Sequence, residues 1–255
     1  MSRTFIIVRH SERLDEVAPD EWIDSLKNNN SWRDKYSIEN DTPITANGAT
    51  IAADAAKTVK SIIETRLRNN ESTKDLKIRI YSSRLMRCVQ TANQIAQELN
   101  LPIHVSTGLA LTAVAVGRRK TTFEFQTLEE LSELCPDVEL HCSDSEDVNF
   151  PVCKTDWLNA IEDIINRDEI NIIVAHRETI RNLIGERMKL PYCCIGMFLY
   201  HNQKILPHYL WDKDGRLIVD YLLPTEDNTT INAINNDNNS IISNDNIVMN
   251  VTGIY

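Results

Sequence analysis

The chain has 255 residues, of which 42% are hydrophobic and 25% are charged, proportions that suit a globular protein with one sizeable core or two small ones. Its formal net charge of −10 argues against nucleic acid or an anionic membrane as a partner, and requires a local basic pocket for any anionic substrate. No apolar run reaches the ~20 residues of a membrane span. The run Phe5–Val8 is shorter than the roughly 7–15 residues of a signal-peptide core. We therefore expect a cytoplasmic protein.

Strands and helices alternate along the sequence. Residues 4–9 are predicted to form a buried strand, whereas residues 10–44 show no sustained periodicity. Thr45 is expected to cap a helix, because apolar residues then recur at spacings of three and four from Ile51 to Leu67. The later predicted elements are strands at 77–81, 103–106 and 170–176, helices at about 85–99, 128–134, 157–165 and 180–188, and hairpin-connected strands at 194–200, 205–211 and 217–223. This order predicts a three-layer α/β/α fold with a largely parallel central sheet.

The domain organisation predicted from these patterns is one domain over residues 1–225. Poorly patterned stretches at about 14–40 and 107–153 are interpreted as insertions, which are the expected specificity elements. From residue 226 to 255 the chain is rich in asparagine, and we expect a low-complexity tail without regular structure there.

Basic side chains follow three of the predicted strands. They are Arg9, His10 and Arg13 after the first strand, Arg84 and Arg87 in the expected first helical turn after the strand ending at 81–83, and His176 and Arg177 after the strand 170–175. A single arginine after a strand is usually solvated, but the carboxyl ends of parallel strands meet at one edge, where ligands bind. A cation in a first helical turn is unfavourable unless an anion is also there. The pattern therefore predicts a phosphate site, and it disfavours a metal because no carboxylate or thiol accompanies the histidines at ligand spacing.

Four ordered motifs carry a family resemblance. They are VRHSER (8–13), DTPITANG (41–48), YSSRLMRCVQTA (81–92) and IIVAH (172–176). Together they resemble the histidine phosphatase superfamily, which has the phosphoglycerate-mutase-like fold. The extended pattern after the first strand is most similar to the group of suppressor-of-T-cell-receptor-signalling and ecdysteroid-phosphate phosphatases.

The resemblance implies a role for each matching residue. His10 would attack phosphorus and form a phosphohistidine intermediate. Arg9, Arg13 and Arg87 would bind the phosphoryl oxygens, and His176 would hydrogen-bond them. This chemistry requires a neutral imidazole, and neighbouring cations favour one by lowering its pKa. Water would hydrolyse the intermediate, with neither a metal nor a cofactor.

The sequence departs from the family pattern at two positions. Ser11 replaces the usual glycine, which adds a hydroxyl and removes conformational freedom, so we expect a slight change of geometry. Leu111 stands where related phosphatases have the glutamate that protonates the leaving group. The acidic residues that could replace it are Glu124, Glu129, Glu130 and Glu178, and Glu129 and Glu130 are expected to be solvated on a helix surface. Because a lost general acid matters less for a good leaving group, aryl phosphates should be hydrolysed better than alkyl phosphates.

The leading functional prediction is a phosphomonoesterase that acts on a phosphorylated small molecule or a phosphoprotein. One alternative is a phosphoglycerate mutase or sugar bisphosphatase of the same superfamily. Another is a phosphate-binding adaptor, which the missing glutamate favours and the retained His10 opposes. The related phosphatases imply a homodimer, although no residue of the sequence decides the oligomeric state.

Overall fold

A computed structural model describes residues 3–27, 41–69, 75–110, 125–143, 156–167, 169–221 and 249–251. The strands in these ranges are β1 (Arg3–Arg9), β2 (Ile78–Ser83), β3 (Ile103–Ser106), β4 (Leu140–Cys142), β5 (Ile170–Ala175), β6 (Ile195–His201), β7 (Lys204–Trp211), β8 (Leu217–Tyr221) and β9 (Met249–Val251). The α-helices are α1 (Leu14–Val17), α2 (Pro19–Lys27), α3 (Ala46–Ile62), α4 (Met86–Leu99), α5 (Leu128–Leu134), α6 (Asp156–Ile165) and α7 (Arg177–Ile184). Helix α3 continues into a π-helical turn over Ile63–Leu67.

All the described strands belong to one sheet, in the order β4-β3-β2-β5-β1-β6-β7-β8-β9. The five strands from β4 to β1 are parallel, so their carboxyl ends lie at one edge. The strands from β6 to β9 continue as an antiparallel meander. Because β6 is antiparallel to β1, β6 begins at the same edge at which β1 ends.

Helices cover both faces of the sheet. Alternate residues of β1 point to opposite faces, so that Ile6 and Val8 pack with α3, α4 and α5. Phe5 and Ile7 pack on the other face with α6 and α7. Every one of these four side chains is fully buried. The predicted three-layer α/β/α fold with a largely parallel sheet is confirmed, and β1 lies at its centre.

Four elements, two helices and two strands, were not predicted. The short helices α1 and α2 lie within residues 10–44, where an irregular segment was expected. Among the α2 residues whose burial is described, only Trp22 is buried. The segment therefore lacks the sustained apolar periodicity of a helix, although Pro19 and the acidic first turn favour a helix start there. Strand β4 is three residues long, below the length at which alternation is recognisable. Strand β9 lies in the segment expected to lack structure and pairs with β8, whose edge offers backbone hydrogen-bonding groups.

None of the helices that the structure describes combines the length and the apolar character required to cross a membrane.

Replacement of Gly196 should destabilise the centre of the sheet. Gly196 pairs with Ile7 of β1, and a Cβ atom there would lie 2.6 Å from Cε2 of Phe198 and 3.1 Å from Cδ2 of Leu210. We expect Gly196→Ala to lower the free energy of unfolding by about 1–3 kcal/mol, since a buried side chain must shift. Chemical denaturation measures this change. The exposed-site control Lys57→Ala should stay within about 0.5 kcal/mol of wild type, and an unchanged midpoint for Gly196→Ala would contradict the packing argument.

Candidate active site

The end of β1 is held between two neighbouring strands by backbone hydrogen bonds. The amide of Arg9 donates to the carbonyl of Cys194 at 2.9 Å, just before β6. The amide of His10 donates to the carbonyl of Ala175, the last residue of β5, also at 2.9 Å. The position of the His10 backbone is therefore fixed at the carboxyl edge of the sheet.

The imidazole of His10 is held as a single neutral tautomer. Its Nδ1 lies 2.8 Å from the carbonyl oxygen of Ser11, which can only accept, so Nδ1 carries the proton and Nε2 keeps its lone pair. The residue is 4% exposed. Burial, followed by the charge of Arg87, holds the pKa of His10 well below its usual value. The result is an uncharged ring with a nucleophilic nitrogen.

Ser11 fixes the turn after His10 with all of its polar groups. Its amide donates to Oγ1 of Thr91 at 2.9 Å, and its hydroxyl donates to the carbonyl of Gly48 at 2.6 Å. Ser11 is not among the described residues with positive φ, so a side chain is tolerated without left-handed strain. A Cβ atom on Gly48 would lie 2.7 Å from the carbonyl oxygen of Glu12, which explains the glycine of the second motif. The added hydroxyl thus joins the turn to α3.

His176 lies directly after β5 and faces His10. The two ring centroids are 5.6 Å apart at an angle of 62°. Nε2 of His176 is 3.1 Å from Oγ of Ser83, at the end of β2. Burial and then the charge of Arg87 lower the pKa of His176 well below its usual value, so the second imidazole is also neutral.

Arg87, the second residue of α4, brings a buried guanidinium group to the same edge. It is 8% exposed, and its Nε and Nη1 atoms have no hydrogen-bond partner among the described residues. Oδ1 of Asp41 lies 3.8 Å from Nη1, but both Asp41 oxygens accept from the amide of Met86, at 2.8 and 3.0 Å. Asp41 therefore caps α4 and compensates the guanidinium charge only at a distance.

Arg9 reaches the opposite side of the pocket. It is 6% exposed, its Nη1 donates to the carbonyl of Leu190 at 2.5 Å, and its Nε has no partner among the described residues. Its Cζ lies 4.2 Å from the ring centroid of Tyr192. The same ring is 6.3 Å from that of His10, so Tyr192 borders both groups. Burial lowers the pKa of Arg9.

Arg13 enters the pocket from the turn before α1. Its Nε and Nη2 atoms donate to the carboxylate of Asp15 at 2.9 and 2.5 Å, and its Nη1 lies 3.2 Å from Oε1 of Glu16. Burial alone lowers the pKa of Arg13, but the hydrogen bonds and charge of Asp15 raise it overall. Besides burial, the positive charge of Arg13 lowers the pKa of both His176 and Arg87.

The structure brings His10, His176, Arg9, Arg13 and Arg87 together at one edge of the sheet. Two other basic residues of the predicted cluster have different partners. Arg84 precedes α4 and is not in its first turn, and it donates from Nε to the carbonyl of Gln126 at 2.9 Å. Arg177 donates from Nε to Glu178 at 2.8 Å.

The sequence-based prediction missed Glu16 and Tyr192. Tyr192 lies in the turn before β6, and its hydroxyl donates a hydrogen bond to Oε2 of Glu16. Burial and then the hydrogen bond to Glu16 raise the pKa of Tyr192 to about 12, so the tyrosine keeps its proton. Recognition of an antiparallel strand beside β1 would have placed this turn at the site. Leu111 and Glu124 lie outside the described residues.

The pocket combines hydrogen-bond donors that suit an anion with an imidazole nitrogen that keeps its lone pair. The buried guanidinium groups of Arg9 and Arg87 offer N–H donors without a described acceptor, and two neutral imidazoles face each other at the same edge. Within the described part of the chain, no group of three or more histidine, cysteine, aspartate or glutamate residues is arranged to hold a metal ion. The arrangement can bind a tetrahedral oxyanion and place Nε2 of His10 against its central atom.

Comparison with known proteins gives two informative matches. The chain is 27% identical over 224 residues to mouse ubiquitin-associated and SH3 domain-containing protein A, covering 80% of this chain but only 36% of that protein. The crystal structure of an ecdysone phosphate phosphatase from Bombix mori in complex with tungstate is 18% identical with a TM-score of 0.57. That match covers 77% of this chain and 88% of the other, and it shows the same fold.

The family assignment rests on a match to most of the sequence. A sequence model described as the histidine phosphatase superfamily (branch 1) matches residues 5–220, a range that contains all four motifs and the five clustered site residues. The resemblance read from the motifs is therefore confirmed. This chain belongs to branch 1 of the histidine phosphatase superfamily.

Proposed function

We propose that the protein hydrolyses phosphomonoesters through a phosphohistidine intermediate on His10. The observation that carries this proposal is the free Nε2 of a neutral His10 beside buried guanidinium N–H groups that no described residue accepts. Buried donors of this kind are costly unless a ligand supplies acceptors, and phosphate oxygens are well suited to guanidinium geometry.

In the first step, Arg9, Arg13 and Arg87 donate hydrogen bonds to the phosphoryl oxygens. Nε2 of His10 attacks phosphorus, so that the P–N bond forms while the bond from phosphorus to the leaving oxygen breaks. The ring gains positive charge as it attacks, and its Nδ1–H bond to the carbonyl of Ser11 stabilises that charge. His176, whose ring faces His10, hydrogen-bonds the transferred group.

In the second step, water attacks phosphorus and the P–N bond breaks. The arginines that stabilised charge in the first transition state act again, because the same phosphoryl oxygens carry it. Inorganic phosphate leaves, and Nε2 of His10 recovers its lone pair. The proton that the attacking water loses balances the proton that the leaving oxygen takes up.

We further propose that aryl monoesters, including phosphotyrosine-like substrates, are hydrolysed better than alkyl monoesters. A phenol leaves more readily than an alcohol and depends less on a proton donor. The ring of Tyr192 beside His10 also offers an aromatic face to an aryl group. The mutase, bisphosphatase and adaptor alternatives stay predictions from the sequence.

Substitution of the nucleophile should abolish turnover of para-nitrophenyl phosphate. We expect His10→Ala to reduce the rate by at least about 10³-fold, since the intermediate cannot form. Wild-type protein mixed with radiolabelled substrate and quenched in alkali should carry label on a histidine, and His10→Ala should carry none. His201→Ala, at the far end of β6, is the matched control and should retain wild-type turnover. Turnover that survives His10→Ala, or its absence in the wild type, would refute the proposal.

The ionisation of His10 should follow from its burial and from Arg87. Because the pKa of His10 is lowered, the ring should remain neutral as the pH falls through 6.5 and should protonate only at more acidic values. Arg87→Gln removes the charge that, after burial, lowers the pKa of His10 most, and should raise the midpoint toward the ordinary value. Histidine NMR titration of the wild type and the variant measures both shifts. A wild-type midpoint at or above 6.5 would contradict the assigned neutral state.

A further inference from the structure

The pocket arginines are surrounded by carboxylates with different roles. Asp15, Glu16, Asp41 and Glu178 all act on the charge of at least one of these arginines. Three of the four are committed to local structure: Asp41 caps α4, Asp15 is bidentate with Arg13, and Glu178 pairs with Arg177. The fourth carboxylate, Glu16, instead contacts Arg13 and Tyr192.

Glu16 lies between Arg13 and Tyr192, two residues of the candidate site. Its Oε1 is 3.2 Å from Nη1 of Arg13, and its Oε2 accepts from the hydroxyl of Tyr192. The ring of Tyr192 is 6.3 Å from that of His10 and stacks on Arg9. The side chain of Glu16 is 41% exposed, so a ligand can reach it from solvent.

We propose that Glu16 supplies the proton to the leaving group, the role that the family pattern gives to a glutamate at the position of Leu111. This inference rests on the proposed phosphatase function. Tyr192 is a positioning residue, because its hydroxyl donates to Oε2 of Glu16 while its ring borders His10.

Substrate binding itself prepares Glu16 for this role. The groups that face Glu16 are Arg13 and Asp15 on its own segment, and Tyr192 and Arg9 from the neighbouring ones. A phosphoryl dianion that takes hydrogen bonds from Arg13 draws that cation away from Oε1 and adds negative charge nearby. Oε1 of Glu16 is then released from its ion pair with Arg13.

The proton balance closes over the two steps. As the P–N bond to His10 forms and the ester P–O bond breaks, the O–H of Glu16 transfers its proton to the leaving oxygen, and a neutral alcohol or phenol departs. The resulting carboxylate then accepts a proton from the attacking water as the new P–O bond forms and the P–N bond breaks. The enzyme returns to its initial state with no other reactant.

The test compares two leaving groups in Glu16→Gln. For a simple alkyl monoester, kcat/KM should fall by about 10²–10⁴-fold. For para-nitrophenyl phosphate, whose leaving group needs no proton, the fall should be less than about tenfold. Tyr192→Phe should shift the same ratio in the same direction by a smaller factor. Glu178→Gln, which removes another arginine-paired carboxylate at this edge, is the matched control and should leave the ratio unchanged.

The outcomes separate this inference from the proposed function. If para-nitrophenyl phosphate turnover depends on His10 but Glu16→Gln leaves the alkyl-to-aryl ratio unchanged, Glu16 is not the proton donor and the phosphatase proposal stands. A selective loss of alkyl turnover in Glu124→Gln instead would also overturn the inference. Wild-type protein without His10-dependent turnover would refute both. Equal losses on both substrates in Glu16→Gln would indicate a structural role and overturn the inference.

Discussion

The burial of two guanidinium groups at the carboxyl edge of the sheet is the constraint on which the site depends. Arg9 and Arg87 are almost fully enclosed, and each keeps at least one N–H without a described acceptor. Removing such charges from water is unfavourable in free energy, and the apolar packing on both faces of β1 offsets this penalty. The same charges disfavour protonation of His10 and His176. One arrangement therefore provides both the candidate anion site and the neutral imidazole that we propose as the nucleophile.

Contacts with the surrounding fold fix the position of His10, the proposed nucleophile. The backbone of His10 is bonded to the end of β5, and the ring is bonded to the carbonyl of Ser11. Ser11 is in turn bonded to Thr91 of α4 and to Gly48 of α3. Helices on one face of the sheet thus fix a turn that neither strand could fix alone. A hydroxyl at this turn adds a contact to α3 without a positive φ.

Much of the fold and most of the site could be predicted because their signals are local. The apolar run of β1 and the periodicity of α3 specify those elements directly, and the basic residues after the parallel strands indicate the shared edge. The placement of Arg84 in the first turn of α4 was wrong, because the side chain that caps this helix is Asp41, 45 residues earlier in the chain, whose oxygens accept from Met86. That contact leaves Arg84 outside the helix. Tyr192 was not predicted for a similar reason, because only the antiparallel pairing of β6 with β1 brings it to the site.

These constraints act differently on the two ends of the proposed reaction. The nucleophile must lie in line with a phosphorus atom whose oxygens several arginines hold, so the position of His10 admits little variation. A proton donor has only to reach the leaving oxygen, on the side of phosphorus opposite to His10. More than one chain segment can contribute such a donor. In this proposal α1 does so because it directly follows Arg13, which enters the pocket. The carboxylate of Glu16 needs no additional supporting contact, because Arg13 and Tyr192 already contact its two oxygens.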